Sequence, residues 1–184
     1  MAILSREGLT QGVLSQEPKG EIGIIDLYRA FSGAETEAFN DPWIRTTFRK
    51  AKGGSTAYGP VQLTGSLVKN YLLNKPEVVQ DKEFANRYLQ QSREFSKHGN
   101  NIGKIPYFNP TYDYGGSGNM NNPHDQTGYG ILSKEIMGDL WQNAKKKDNP
   151  LDTMIGYWRW GEGSKNTRAD DPEYFKRFYK HLIE

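Results

Sequence analysis

Apolar side chains recur at the spacing of an α-helix along much of this chain, and that periodicity constrains the fold more than any other feature. In the last segment, Asp171-Pro172 is a helix start signal, and the apolar residues that follow share one helical face. These residues are Tyr174, Phe175, Phe178, Tyr179 and Leu182. Comparable stripes elsewhere predict a mainly α-helical fold with about six to eight helices.

The other helical segments lie between recognisable start and stop signals. Ile22–Phe31 is one of them, and Gly33 with the acidic residues after it is expected to end that helix. The clearest segment runs from Pro76 to Lys97, with Gly99 as its C-cap. The remaining helices are predicted over residues 41–48, 61–72, 131–147 and 150–157.

The stretch from Gly99 to Gly130 is rich in Gly, Asn, Pro and Tyr, which predicts a long irregular loop. Its tyrosines argue against plain disorder and favour one wall of a cleft. They are Tyr107, Tyr112, Tyr114 and Tyr129. Asp113, between two of them, is either a second functional carboxylate or a residue that makes a turn.

Composition excludes several classes of protein. The 184 residues suit one domain, predicted over residues 21–184 after an N-terminal arm of residues 1–20. Hydrophobic residues make up only 35% but aromatic residues make up 12%, which predicts a core rich in rings rather than disorder. A net charge of +2 without a dense basic stripe argues against nucleic-acid binding. With no Cys, neither a disulfide nor a thiolate metal site can form.

The stretch from Ser55 to Thr64, STAYGPVQLT, points most directly to function. Gly59 suits a tight bend, while the Ser55 hydroxyl and the Gln62 amide can both donate and accept hydrogen bonds. Such groups, where a loop meets a helix, suit a hydroxyl-rich ligand such as a sugar.

Two acidic residues, Glu35 and Glu37, precede this stretch at the predicted end of the first helix. Burial and the negative end of the helix dipole are expected to raise the pKa of Glu35, so that it can act as an acid. Taken alone, both residues would be read as surface acids, because Glu is seldom buried.

Together these features resemble the lytic transglycosylases of the soluble type and the goose-type lysozymes. Their S-x-x-G-x-x-Q signature resembles the stretch from Ser55 to Gln62, which has one residue more between Ser and Gly. Ala34-Glu35-Thr36 stands where the family has Ala/Gln-Glu-Ser around its catalytic Glu. Residues 156–163, GYWRWGEG, resemble more distantly the family's A-Y-N-A-G-x-G, with Tyr157 at the position of its cleft tyrosine.

The resemblance implies a lysozyme-like domain around a substrate cleft, with Glu35 as the acid that cleaves peptidoglycan. The residues implied to contact the glycan strand are Ser55, Tyr58, Gly59, Gln62, Tyr112, Asp113 and Tyr157. No metal or cofactor is implied. A single catalytic Glu favours the transglycosylase reaction, which closes a 1,6-anhydro ring, over hydrolysis with a second carboxylate.

Several alternatives remain open. A hydrolytic muramidase would use Asp113 or Glu37 as its second carboxylate, and Glu37 or Glu21 could replace Glu35 as the acid. The chain could also be a virion structural or glycan-binding protein that keeps only the fold, or an unrelated helical interaction module.

The place of action follows from the resemblance together with the N-terminal sequence. Residues 1–19 contain no apolar signal-peptide region, and no apolar run suits a membrane span. We therefore expect a bacteriophage protein that is made in the host cytoplasm and reaches the cell wall through a virion or a holin. Virion or tail proteins are then expected partners besides peptidoglycan.

Overall fold

A computed structural model describes residues 20–37, 57–98 and 123–183, and these ranges are mainly α-helical. The six helices are α1 (Ile24–Thr36), α2 (Gly65–Asn74), α3 (Lys82–His98), α4 (Pro123–Ala144), α5 (Pro150–Trp160) and α6 (Pro172–Ile183). The same ranges contain no β-strand, although Tyr58 and Leu63 form an isolated antiparallel bridge. The mainly α-helical fold is therefore confirmed. None of the described helices combines the length and apolarity needed to cross a membrane.

The first helix extends further than the sequence predicts. Gly33 does not end it, because α1 continues to Thr36 and carries Glu35 in its last turn. Gly33 instead lies against the imidazole of His181, where an added Cβ would overlap the ring. The glycine therefore allows α1 and α6 to approach each other closely, and close packing outweighs its low helix propensity.

The helix after α2 starts later than predicted. Pro76 does not begin α3, since it follows Lys75, the C-cap of α2, and lies in a turn. Asp81 precedes the first residue of α3, and its Oδ1 accepts a hydrogen bond of 2.8 Å from the Phe84 N–H. This capping bond marks the true start, and a proline just beyond a C-cap is a common stop signal.

The fourth helix differs most from the helix that the sequence predicts. It begins at Pro123, so residues 123–130 are helical and do not belong to the predicted irregular loop. Gly128 and Gly130 weaken the helical signal there, because each is poorer than alanine in a helix. The predicted helix at residues 41–48 and most of the predicted N-terminal arm lie outside the described residues.

Contacts divide the chain into two compact units: Met1–Ala34 with Leu140–Glu184, and Glu35–Asp139. In the first unit, the Phe31 ring of α1 lies 5.3 Å from that of Trp158 and 4.6 Å from that of Phe178. These aromatic contacts join α1, α5 and α6, as the ring-rich composition predicts. Two units can belong to one domain, so the single domain over residues 21–184 stays a prediction.

The second unit packs α2 against α3 and anchors α2 through a carboxylate. Asp139 of α4 accepts hydrogen bonds of 2.7 Å from both the Tyr71 hydroxyl and the Lys75 ammonium. Because both donors lie at the C-terminal end of α2, one carboxylate fixes that end of the helix to α4.

A second polar cluster holds the start of α5 in the first unit. Asp152 Oδ1 accepts from the Arg168 guanidinium at 2.8 Å and from the Tyr179 hydroxyl at 2.7 Å. Burial, followed by the hydrogen bond to Asp152, raises the pKa of Tyr179 well above its ordinary value. Burial also raises the pKa of Tyr28, in α1, to about 12.

These tyrosines make the protein sensitive to strong alkali. An exposed tyrosine in the unfolded chain loses its proton at about pH 10. Folding keeps Tyr28 and Tyr179 protonated to higher pH. The folded state therefore holds more protons, and the free energy of unfolding falls as pH rises from about 10 to about 12. Phenolate absorbance should show late titrations that Tyr28→Phe and Tyr179→Phe each reduce. If both tyrosines lose their protons in the folded protein at the same pH as in the unfolded chain, the predicted loss of stability at high pH is wrong.

The contact between Gly33 and His181 predicts opposite effects for two similar substitutions. Gly33→Ala should lower the free energy of unfolding by about 1–3 kcal/mol, because the methyl group displaces the imidazole. Gly130→Ala is the matched control, since it also lies in a helix but has open space around its Cα. That change should stabilise by up to about 1 kcal/mol. Denaturant melts that give the two variants equal stability would refute the packing role of Gly33.

Candidate functional site

The segment from Tyr58 to Leu63 forms a tight loop closed by backbone hydrogen bonds. The Tyr58 N–H donates to the Leu63 carbonyl at 3.2 Å, and the Gln62 N–H donates to the Gly59 carbonyl at 3.0 Å. Pro60 stands at the second position of the turn, where its restricted φ is favourable. Thr64 then caps α2 by accepting a 3.3 Å bond from the Leu67 N–H. The loop therefore leads directly into a helix, as the sequence predicts.

Two of the predicted site residues have conformations that explain their identity. Gly59 has a φ of +77°, and Gln62 is unusual among non-glycine residues in having a φ of +50°. The Gln62 Nε2 donates to the Gly59 carbonyl at 2.9 Å, so that this carbonyl accepts from both the backbone and the side chain of Gln62. These bonds stabilise the turn that the two residues form.

Two tyrosines from neighbouring helices hold the loop. The Tyr129 hydroxyl of α4 donates to the Tyr58 carbonyl at 2.5 Å and accepts from the Leu63 N–H at 3.2 Å. The Tyr88 hydroxyl of α3 donates to the Leu63 carbonyl at 2.7 Å. A Cβ on Gly59 would lie 2.6 Å from Cζ of Tyr129, so only glycine fits against this ring.

All residues from 57 to 63 are buried, which determines what the loop can do. A buried loop must satisfy its backbone groups inside the protein. The bonds described above do so for both backbone groups of Tyr58 and Leu63, for the Gly59 carbonyl and for the Gln62 N–H. Tyr58, Gly59 and Gln62 thus take part in hydrogen bonds that stabilise the turn. Their direct contact with a sugar stays a prediction.

Glu35 lies at the C-terminal end of α1. It is partly buried in the last turn of α1, which contains no basic residue. At this end of a helix the unpaired carbonyls form the negative pole of the dipole, which disfavours an ionised carboxylate. Of the two alternatives, Glu37 is exposed, and the Glu21 side chain is 90% exposed and lies 3.7 Å from the Lys145 ammonium. Glu35 has the most sheltered environment of the three.

Tyr157 lies in α5 and is 8% exposed, so it is more buried than a residue on an open cleft wall would be. It lines a surface pocket together with polar residues of the first unit. Ser55, Tyr112 and Asp113 lie outside the described residues.

Tyr88 and Tyr129 hold the loop through hydrogen bonds that sequence reasoning missed. Tyr88 belongs to the helical segment predicted from Pro76 to Lys97 and is buried in α3, whereas Tyr129 is predicted in one wall of a cleft. The second prediction is wrong, because Tyr129 is fully buried in α4. The chemistry of tyrosine could have indicated these contacts. A buried tyrosine hydroxyl usually needs a hydrogen-bond partner, and a tight loop offers backbone groups that can pair with it.

No group of three or more His, Cys, Asp or Glu side chains that could hold a metal ion occurs in the described ranges. Comparison with protein-family models, curated proteins and solved structures found no match to this chain. The geometry of the residues is therefore the main basis for a functional assignment.

The clamp at Tyr129 predicts a specific loss of stability. Tyr129→Phe keeps the ring but removes the hydroxyl, so that the buried Leu63 N–H loses its acceptor. We expect a loss of about 1–3 kcal/mol in the free energy of unfolding. Tyr157→Phe is the control, because its hydroxyl has no hydrogen-bond partner among the described residues, and it should change stability by less than about 0.5 kcal/mol. Equal stabilities in chemical denaturation would show that the clamp contributes nothing.

Proposed function

We propose that this protein is a peptidoglycan lytic transglycosylase that cleaves the β-1,4 bond between N-acetylmuramic acid and N-acetylglucosamine, with Glu35 as the catalytic acid. The observation that carries the proposal is the position of Glu35. It is partly buried at the end of α1 and belongs to the same compact unit as the loop from Tyr58 to Leu63. A sheltered carboxyl group at a helix C-terminus is suited to keeping the proton that a glycosidic oxygen must receive.

The proposed reaction uses this carboxyl group twice. Glu35 first donates its proton to the glycosidic oxygen, and the bond from the muramic acid C1 to that oxygen breaks as positive charge develops on the ring. The resulting carboxylate then accepts the proton of the 6-hydroxyl of the same muramic acid, and O6 bonds to C1. The products are a free 4-hydroxyl and a 1,6-anhydro ring, and Glu35 is protonated again.

The loop supports this reaction by rigidity. Its turn is held at both ends by the hydroxyls of Tyr88 and Tyr129, so its shape does not depend on a bound ligand. Preorganised contacts save the free energy that binding would otherwise spend on ordering a loop. We therefore assign Gly59 and Gln62 the role of shaping the surface beside the reacting sugar, and Tyr88 and Tyr129 the role of positioning residues.

The decisive experiment is digestion of purified peptidoglycan sacculi, followed by mass spectrometry of the released fragments. The wild-type protein should release fragments that end in 1,6-anhydro-muramic acid. Glu35→Gln should reduce the initial rate by about 10²- to 10⁴-fold, as expected when a general acid is removed.

Glu37→Gln and Glu21→Gln are the matched controls, because both remove an exposed carboxylate near the same helix. Both should retain activity, and circular dichroism should show that all three variants are folded. Loss of activity in Glu37→Gln alone would make Glu37 the acid. Fragments with reducing ends would indicate a hydrolase, and an inactive wild-type protein would favour a glycan-binding or structural role.

A further inference from the structure

A pocket of about 490 Å³ lies in the first compact unit, where the end of α4 is followed by α5. This volume falls within the range of pockets that hold small ligands. Its polar lining includes Lys146, Lys147, Asn149, Thr153, Tyr157 and Ser164, together with the carboxylate of Asp148. Hydroxyl and amide groups therefore surround the space, as in a site for a hydroxyl-rich molecule.

Tyr157 is the most informative of these residues. Only 8% of its surface is exposed, yet it lines the pocket. Its hydroxyl forms no hydrogen bond with any described residue, so it is available to a molecule in the pocket. Tyr157 therefore offers the pocket an aromatic surface and a hydroxyl that can donate or accept.

The charges favour an anion. The Lys147 ammonium has no acidic partner among the described residues, and Lys146 donates only to the Asn143 Oδ1, at 3.3 Å. An ammonium group has three donors, so Lys146 retains capacity for a ligand. The two lysines outweigh the single carboxylate of Asp148, and the Asn149 side chain makes no capping bond with α5. The pocket thus combines positive charge with neutral hydrogen-bonding groups.

We propose that this pocket binds an acidic sugar unit of the glycan strand, with Lys146 and Lys147 on its carboxylate and Tyr157 on its hydroxyls. The inference rests on the proposed function, and adds a second binding site that distinguishes muramic acid from neutral N-acetylglucosamine. The carboxylate can come from the free lactyl group of a peptide-free strand. Where a peptide is attached, that group is an amide and the carboxylates of the peptide carry the charge.

The test compares the affinities of two tetrasaccharides for Glu35→Gln protein, which should bind without cleaving them. One is the neutral tetramer of N-acetylglucosamine, and the other alternates N-acetylglucosamine with peptide-free N-acetylmuramic acid. The combined variant Lys146→Gln/Lys147→Gln should raise the Kd of the acidic tetrasaccharide roughly three- to tenfold and leave the neutral one unchanged. The acidic sugar should also lose its advantage at high salt.

Two further variants distinguish the loss of positive charge in the pocket from a general loss of binding. Lys176→Gln removes an exposed lysine of α6 that does not line the pocket, and it should change neither Kd. Tyr157→Phe keeps the ring and removes the hydroxyl, and it should weaken both tetrasaccharides. A peptide-bearing tetrasaccharide identifies the source of the carboxylate: a lysine effect with this ligand alone assigns the pocket to the peptide, and overturns recognition of the sugar's own carboxylate.

The possible failures are distinguishable. If sacculi are cleaved but the lysine variant binds the acidic tetrasaccharide as tightly as its parent, the assignment of the pocket is wrong and the proposed function stands. Equal weakening of both tetrasaccharides also overturns the assignment, because the lysines would then not recognise the charge of the sugar. If sacculi are not cleaved and neither tetrasaccharide binds, the proposed function fails and this inference fails with it.

Discussion

One hydroxyl group, that of Tyr129, organises the candidate site. It donates to the carbonyl on one side of the loop and accepts from the amide on the other, at Tyr58 and Leu63. These two hydrogen bonds hold the ends of the turn together, in addition to the backbone bond from the Tyr58 N–H to the Leu63 carbonyl. Its aromatic ring also requires glycine at position 59, because a side chain there would overlap it. The identity of the central loop residue thus follows from a residue far along the chain.

The same interaction explains why local sequence signals fail around Tyr129. Gly128 and Gly130 make residues 123–130 look irregular, yet the segment is helical because the buried tyrosine and its neighbours pack against the loop and α3. Periodicity and capping signals succeed where packing agrees with them. Asp171, for example, accepts from the Tyr174 N–H at 3.2 Å and starts α6 as predicted. Gly33 is the reverse case, since a residue that normally ends helices serves close packing inside one.

The candidate site also combines features that the sequence predicts with features that it does not predict. Local patterns could predict that Glu35 lies at a helix end, that Gly59 and Gln62 lie in a loop, and that a helix follows this loop. The internal bonds of Gln62 could not, because a glutamine that faces a ligand and one that stabilises a turn look identical in a sequence. Nor could the clamps at Tyr88 and Tyr129, which depend on pairings distant along the chain. In the proposed enzyme, the loop is a rigid support beside the substrate, and Glu35 transfers the proton.

The most direct test of this account is a crystal structure of Glu35→Gln protein with a bound peptidoglycan tetrasaccharide. The account predicts a sugar beside the loop from Tyr58 to Leu63, with a glycosidic oxygen within hydrogen-bond distance of the side chain at position 35. The loop itself should keep its hydrogen bonds to Tyr88 and Tyr129, because its shape is set before binding. A tetrasaccharide bound away from both position 35 and the loop would contradict the account.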